Sequence, residues 1–181
     1  DKEGLYRAVL TAPIEAIADQ FDGFDDPALP LHDAIRRVLH PFVAMALDAD
    51  ADALHVQRLH LREALEPSVV FRDVVDRIIV PLHNALAALL ARHCGLAKPD
   101  EGIHQLAFAI TAMANDYCVS REFIRLLAPQ VLKRDDAAQR IVDRLVGYST
   151  ALLAQEIASR ACTGPQGRAR QPARNARKRT S

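Results

Sequence analysis

Apolar side chains recur every three to four positions through almost the whole chain, which predicts amphipathic helices. No segment alternates apolar and polar residues with a period of two, so no sheet is expected. The pattern therefore predicts an all-α fold of six to seven helices. Their approximate bounds are 2–19, 31–47, 53–65, 69–93, 100–118, 121–127 and 135–161.

Prolines lie inside three of these predicted helices. Pro13, Pro41 and Pro81 each remove a backbone donor and crowd the preceding turn, so we expect a kink or break at Pro13, a bend at Pro41 and a kink at Pro81. The segment 69–93 is apolar around more than one face, which is typical of a central, largely buried helix. We expect a helical domain organised around this segment, with a kink at Pro81.

Charge is distributed unevenly along the chain, although its 23 basic and 23 acidic residues balance. From Thr163 onward there are six basic residues and no acidic one, which leaves the remainder with 17 basic against 23 acidic residues, a net of −6. An acidic body is not itself a surface for nucleic acid. The tail 163–181 has too few apolar residues to form a core and is expected to be disordered.

Several classes of function are disfavoured. Cys94, Cys118 and Cys162 form no CxxC pair, which favours a reducing, cytoplasmic compartment. No apolar run approaches ~20 residues, so no membrane span is expected. The histidines lack the spacing of a structural zinc site, so neither a metal nor another cofactor is predicted. Without a nucleophile elbow, a P-loop or a nucleotide-binding motif, an enzyme is not expected.

Polar residues that interrupt apolar stretches are the candidates for a ligand site. A buried polar group needs a partner, so such residues either satisfy one another, face water or orient a ligand in an apolar pocket. Both interpretations remain open from the residues alone. The candidate ligand-binding set combines four apolar walls, Phe42, Met45, Phe71 and Met113, with six polar residues, His60, Arg62, His83, Asn84, Asn115 and Asp116.

The helices predicted at 100–118 and 135–161 carry more apolar and small surface than one core face needs. The surplus favours self-association, and the alternative is that other helices of the same chain cover it. The candidate dimerisation residues are Phe108, Ala112, Ile141, Leu145, Tyr148, Ser149 and Leu152.

The first ten residues, DKEGLYRAVL, resemble the start of the helix that follows the helix-turn-helix in TetR-family transcription regulators. The sequences of Leu61–Pro67 and Val80–Leu90 are similar to those of the branch of that family with the CecR-type C-terminal domain. The resemblance implies that 1–12 is the end of the helix-turn-helix domain with its connecting helix, and that most of this head is absent. It assigns 13–162 to a domain for ligand binding and dimerisation.

The resemblance also implies a function, that of a repressor. Its homodimer would pair through the last two long helices and bind operator double-stranded DNA through the N-terminal head, with Lys2 near the DNA backbone. A small, largely apolar effector in the helical domain would swing the first helix and so change the spacing of the two heads.

Two other classes of function remain open. The first is a small helical enzyme that uses His60, Glu63 and His83 around a pocket. The second is a helical adaptor that binds neither DNA nor a ligand. Both lack the DNA-binding role that the resemblance implies.

Overall fold

The computed structural model describes residues 1–24, 26–48 and 51–163. This part of the chain forms seven helices and no strand, so the predicted all-α class is confirmed. The helices are α1 (Lys2–Ala18), α2 (Leu31–Asp48), α3 (Ala51–Leu65), α4 (Val69–His93), α5 (Glu101–Val119), α6 (Arg121–Leu127) and α7 (Ala137–Thr163). Short 3₁₀ turns lie at Asp19–Phe21 and Pro129–Val131.

The predicted helix bounds are close to the observed ones. The predicted helix 135–161 begins and ends two residues later than expected, as α7, and the predicted helix 121–127 matches α6. Residues 164–181, on which the prediction of a disordered basic tail rests, lie outside the described residues.

Helix α2 is the centre of the core. One of its faces, which carries Ile35, Val38, Leu39 and Val43, is at most 1% exposed. Helices α5 and α7 pack directly on α2, and the C-terminal half of α4 joins the same apolar cluster. The sequence placed the centre at 69–93, but only the C-terminal half of that helix contributes to this cluster. The residues from that half are Leu86, Ala87, Leu89, Leu90 and Ala91.

The prolines inside helices do not break them. Helix α1 continues through Pro13 and α2 continues through Pro41. In α4 a π-helical turn, Val75–Ile79, immediately precedes the segment that contains Pro81. The proline ring has no N–H and crowds the carbonyl of Arg77 four residues earlier, and a wider turn accommodates both effects.

The N-terminus of α5 is fixed to the end of α7 by a charged contact. The Asp100 carboxylate accepts from the N–H of Ile103 at 3.1 Å and from both terminal nitrogens of Arg160 at 2.7 and 2.9 Å. The Arg160 hydrogen bonds are the main reason that the pKa of Asp100 falls to about 2. Gly102 permits this approach, because a Cβ there would lie 2.8 Å from Arg160 Nη2.

Helix α4 is the one helix of the described residues with the length and apolar composition of a membrane span. The expectation that no segment would reach this length was therefore wrong. Core helices of water-soluble proteins pass the same test, so the finding is weak evidence for a membrane-spanning role.

Two leucines separate the contribution of the core from that of the surface. Leu90→Ala removes a side chain that is 0% exposed and should lower the free energy of unfolding by about 2–5 kcal/mol, because it leaves a cavity. Leu65→Ala makes the same chemical change at a side chain that is 84% exposed, and should change stability by less than about 0.5 kcal/mol. Urea unfolding of both variants checks this, and equal losses would contradict the described core.

Candidate regulatory site at the first helix

Tyr6 on α1 meets Glu63 on α3 through a hydrogen bond between side chains. The Tyr6 hydroxyl donates to Glu63 Oε1, and the backbone N–H of Ser68 donates to Glu63 Oε2 at 2.8 Å. Glu63 is only 2% exposed, so its carboxylate relies on these donors where water is excluded. The contact therefore joins α1 to α3 through a buried charge.

The protonation of this pair follows from its surroundings. Burial raises the pKa of Glu63, but the hydrogen bonds from Tyr6 and Ser68 and the charge of Arg62 outweigh burial and lower it. The bond to Glu63 is the largest cause of the raised pKa of Tyr6. At neutral pH the carboxylate is therefore ionised and the phenol keeps its proton.

The local sequence explains why this carboxylate sits at a corner of the fold. Pro67 is incompatible with continuing α3, and Ser68 begins α4 as its N-cap, with its Oγ accepting from the N–H of Phe71 at 3.2 Å. Glu63, in the last turn of α3, thus accepts from the backbone N–H of Ser68, the N-cap residue of the next helix. Helix α1 docks on this corner.

A second contact joins α1 to α4. Arg7 Nη1 donates to Asp73 Oδ2, and the other carboxylate oxygen of Asp73 pairs with Arg77 Nε at 2.7 Å. The Asp73 side chain is 31% exposed and Arg77 is 77% exposed, so the pair that crosses between helices is the better shielded one. Glu3 lies 3.8 Å from Arg7 on α1 itself.

His60 on α3 provides a third contact with α1. Its Nε2 lies 2.9 Å from the backbone oxygen of Leu10, and its Nδ1 lies 2.9 Å from that of Val56. Both partners are acceptors, so a neutral ring donates to one of them and an imidazolium ring to both. Phe71 meets the His60 ring edge-on, with centroids 6.3 Å apart.

We refer to the contacts Tyr6–Glu63, Arg7–Asp73 and His60–Leu10 as the α1 latch. Open grooves lie on both sides of α1. The groove next to α3 has a volume of about 660 Å³ and the one next to α4 about 480 Å³. Lys2 and Arg62 line the first, and Arg7, Asp73 and Arg77 line the second. Helix α1 is therefore held by the buried side chains of Leu10 and Ile17 together with the polar contacts of the latch, and open grooves lie on both sides of it.

The ten predicted ligand-binding residues are distributed over separate parts of the fold. His60 and Phe71 lie at the α1 latch. Phe42 and Met113 pack against the apolar core, and the Phe42 carbonyl accepts from the Cys118 thiol at 3.0 Å. His83 lies against α5, and Met45 is half-buried on α2. The exposed members are Arg62, Asn84, Asn115 and Asp116.

The predicted dimerisation residues divide into two groups. Ile141, Leu145 and Ser149 are at most 6% exposed and lie in the core of the protomer itself, where α7 packs on α2 and α5. A partner cannot reach them unless the protomer repacks. The accessible members are Phe108 and Ala112 on α5 and Tyr148 and Leu152 on α7.

Sequence reasoning missed several residues of the latch. Arg7 and Asp73 were not selected, although Asp73 and Arg77 have the i, i+4 spacing of a helix ion pair. Tyr6 was not selected either, and Glu63 was a candidate only for the rival enzyme site. In the structure Glu63 contacts Tyr6 and Ser68, whereas His83 contacts His104, so the residues of the rival enzyme site belong to two different clusters. Lys2 is exposed at the start of α1.

Comparison with known proteins identifies one family. A model of the C-terminal domain of the HTH-type transcriptional dual regulator CecR matches residues 31–157. The match begins at the first residue of α2 and ends within α7, so it covers the helical core and α3 while α1 lies outside it. A comparison with curated proteins finds no match.

Substitution of Glu63 tests the latch through its dependence on pH. Because the pKa of Glu63 is lowered by folding, the stabilisation from its charged form is full above about 4.5 and is lost as the pH falls through the lower native value. Glu63→Gln should lower the free energy of unfolding by about 1–3 kcal/mol at neutral pH. This difference should shrink below about pH 4.5, as measured by urea unfolding at several pH values.

Glu66→Gln is the matched control, since Glu66 is exposed just beyond the same helix. It should leave stability within about 0.5 kcal/mol at every pH. Amide hydrogen exchange in α1 should accelerate in the Glu63 variant alone. A Glu63→Gln deficit that stays the same from acid to neutral pH would refute the charged hydrogen bond.

Proposed function

Because the chain belongs to the family of CecR-type C-terminal domains of TetR-like regulators, we propose that it is the sensor and dimerisation part of a transcriptional repressor. Domains of this family generally dimerise and bind an effector, and the family points to a regulator rather than an enzyme. The proposed protein acts in the cytoplasm as a homodimer. It binds operator DNA through a helix-turn-helix head that is continuous with α1.

The observation that carries the proposal is the manner in which α1 is held. Helix α1 lies outside the matched domain, and the α1 latch attaches it to α3 and α4. Hydrogen bonds of this kind contribute about 1 kcal/mol each, and coupling between regulatory sites is typically about 1–3 kcal/mol. The free-energy change from rearranging one or two latch contacts is therefore large enough to account for the coupling between regulatory sites.

Movement of α1 would change DNA binding by changing the distance between the two heads of the dimer. Two heads on a dimer contact successive major grooves only when their centres lie ~34–36 Å apart. An effector that binds more tightly to the form with a displaced α1 would shift the population away from this spacing. Lys2, at the start of α1, is placed to contact a phosphate of the backbone in the DNA-bound form.

We place the effector between α2, α3 and α5. Phe42 and Met113 supply apolar surface there, and Met45 lies on the same helix as Phe42. The Gln57 amide lies beside the Cys118 thiol, whose pKa burial raises to about 11. Within the described chain, Gln57 Nε2 and Arg121 Nε are buried with no hydrogen-bond partner. Such donors are positions where an acceptor group on an effector would bind.

The remaining predicted effector residues have subsidiary roles in the proposal. His60 and Phe71 would transmit a change in α3 and α4 to α1, and Arg62 would respond through its neighbour Glu63. His83 contacts His104, and Asn84, Asn115 and Asp116 are exposed, so they are not needed for the proposed effector site.

The regulatory proposal is tested with the full-length natural gene product. Selection from fragmented genomic DNA should yield one element with two-fold symmetry, and a thermal-shift screen should yield apolar compounds that bind. Such compounds should lower DNA affinity by about 5-fold or more in a fluorescence anisotropy titration. Compounds that bind the protein without changing its DNA affinity would contradict the proposed mechanism.

A latch variant separates effector binding from the response. Asp73→Asn should leave compound affinity within about twofold while it reduces the effect of the compound on DNA affinity, because the bond from Arg7 loses its charged acceptor. Asp76→Asn is the control, since Asp76 is exposed three residues further along α4, within the π turn. Equal behaviour of the two variants would exclude Asp73 from transmission.

The proposed dimer face lies on the accessible side of α5 and α7. Phe108 is 63% exposed, Tyr148 48% and Leu152 39%, and Ala112 follows Phe108 by one helical turn. The proximity of Tyr148 contributes to the raised pKa of Tyr117 on α5, after the larger effect of burial, so the two helices lie side by side. A contiguous apolar face of this kind is typical of an isologous interface.

Phe108→Glu should convert the dimer to a monomer, because a carboxylate would be buried against the partner without a counter-charge. Light scattering should then give 19.9 kDa per particle rather than twice that mass. Leu65→Glu, at an 84% exposed position on α3, should leave the dimer intact. A Phe108→Glu protein that remains dimeric would place the interface elsewhere.

A further inference from the structure

Two histidines from different helices face each other outside the α1 latch. His83 Nε2 on α4 lies 2.9 Å from His104 Nδ1 on α5, and the rings stack with centroids 5.1 Å apart and an interplanar angle of 16°. The residues are 21 positions apart in sequence, which is why no histidine spacing indicated this pair.

The surroundings of His83 favour the uncharged form of its ring. His83 is half-buried, and the ring of Phe108 covers it with centroids 4.6 Å apart. Burial lowers the pKa of His83, and the neighbouring His104 lowers it further. A neutral imidazole keeps one lone pair available for binding.

The spacing of the two nitrogens matches that of two ligands on one metal ion. Imidazole nitrogens bind first-row metals at about 2.0–2.1 Å, so two of them at a right angle are separated by about 2.9 Å. Right-angle positions occur in the square-planar and octahedral geometries of Cu²⁺ and Ni²⁺, for which imidazole is a suitable ligand. We propose that His83 Nε2 and His104 Nδ1 bind one divalent transition-metal ion, Cu²⁺ or Ni²⁺, between α4 and α5.

The proton balance of this exchange is simple. Without a metal, one ring donates its N–H to the lone pair of the other. On binding, that ring carries its proton on its second nitrogen instead, through exchange with water, and both facing nitrogens donate lone pairs to the ion. No group of three or more histidine, cysteine or acidic residues that could hold a metal is found among the described residues. Water completes the coordination, and the site has modest affinity.

A metal ion bound by the two histidines would connect α4 and α5, which the apolar core joins only in part. His83 lies four residues after Ile79, the end of the π turn, and His104 lies one helical turn before Phe108. An ion at the pair would fix the ring on which Phe108 rests. Metal binding itself does not rest on the regulatory proposal, and it is measured without DNA or effector.

The test uses the chain without an affinity tag, titrated with CuCl₂ and with NiCl₂ in isothermal calorimetry. One ion should bind per chain and raise Tm by about 5 °C at an ion concentration far above Kd. The Cu²⁺ form should show nitrogen hyperfine splitting in its electron paramagnetic resonance spectrum. His83→Ala and His104→Ala should each weaken binding by at least about tenfold, since each removes one of two protein ligands.

His55→Ala and His93→Ala are the matched controls, because both histidines are exposed and lie outside the pair. They should bind one ion with unchanged affinity. Circular dichroism of each variant establishes that it is folded, and His104→Gln replaces His104→Ala if the alanine variant is not. Absence of one-to-one binding by the unmodified chain, or unchanged binding by folded variants at 83 and 104, would refute the site.

Discussion

The apolar face of α2 must be covered, and this requirement organises the fold. Its residues Ile35, Leu39 and Val43 are fully buried, and α5, α7 and the second half of α4 enclose them. Burial of a leucine or isoleucine side chain contributes roughly 1.5–3 kcal/mol, so this cluster supplies most of the stability of the domain. Helix α1 and the last turn of α3 are attached outside it, by a buried carboxylate with its few donors and by the buried side chains of Leu10 and Ile17.

This division between an apolar centre and a polar attachment suits a regulator. The centre has a single way of packing, because a close-packed core has few alternative arrangements. The contact of α1 depends in addition on hydrogen bonds, each of which contributes only about 1 kcal/mol net. A modest perturbation in the core can therefore reorient α1 while the helices around α2 keep their places.

Helix positions could be predicted from the sequence, because a period of 3.6 and the capping residues are local properties. Two helices were predicted to begin at 69 and 100, and their observed N-caps are Ser68 and Asp100; the helix predicted at 121–127 was also located correctly. A break at Pro13 was wrong, since α1 continues through it, and a π turn precedes Pro81, where a kink was expected. The breaking of a helix depends on its neighbours as well as on the missing donor.

The candidate sites were less predictable, because they depend on which helices meet. Ile141 and Leu145 have the spacing of an apolar stripe, and spacing alone does not reveal whether the same chain or a partner covers that stripe. The predicted ligand residues spread over several places for the same reason. Glu63 contacts Tyr6 57 positions away and His104 contacts His83 21 positions away, and a sequence pattern cannot express such pairings.

The π turn in α4 makes the length of this helix matter more than its composition. An α-helix advances 100° per residue, so the single extra residue held in the wide turn sets the rotational phase between the two halves of α4. The first half presents Asp73 to α1 and the second presents Leu86 and Leu90 to the core. Loss of one residue within 75–79 would rotate the first half away from α1 and leave the core in place. Evolution of this segment is thus constrained against insertion and deletion even where its side chains are exposed and free to vary.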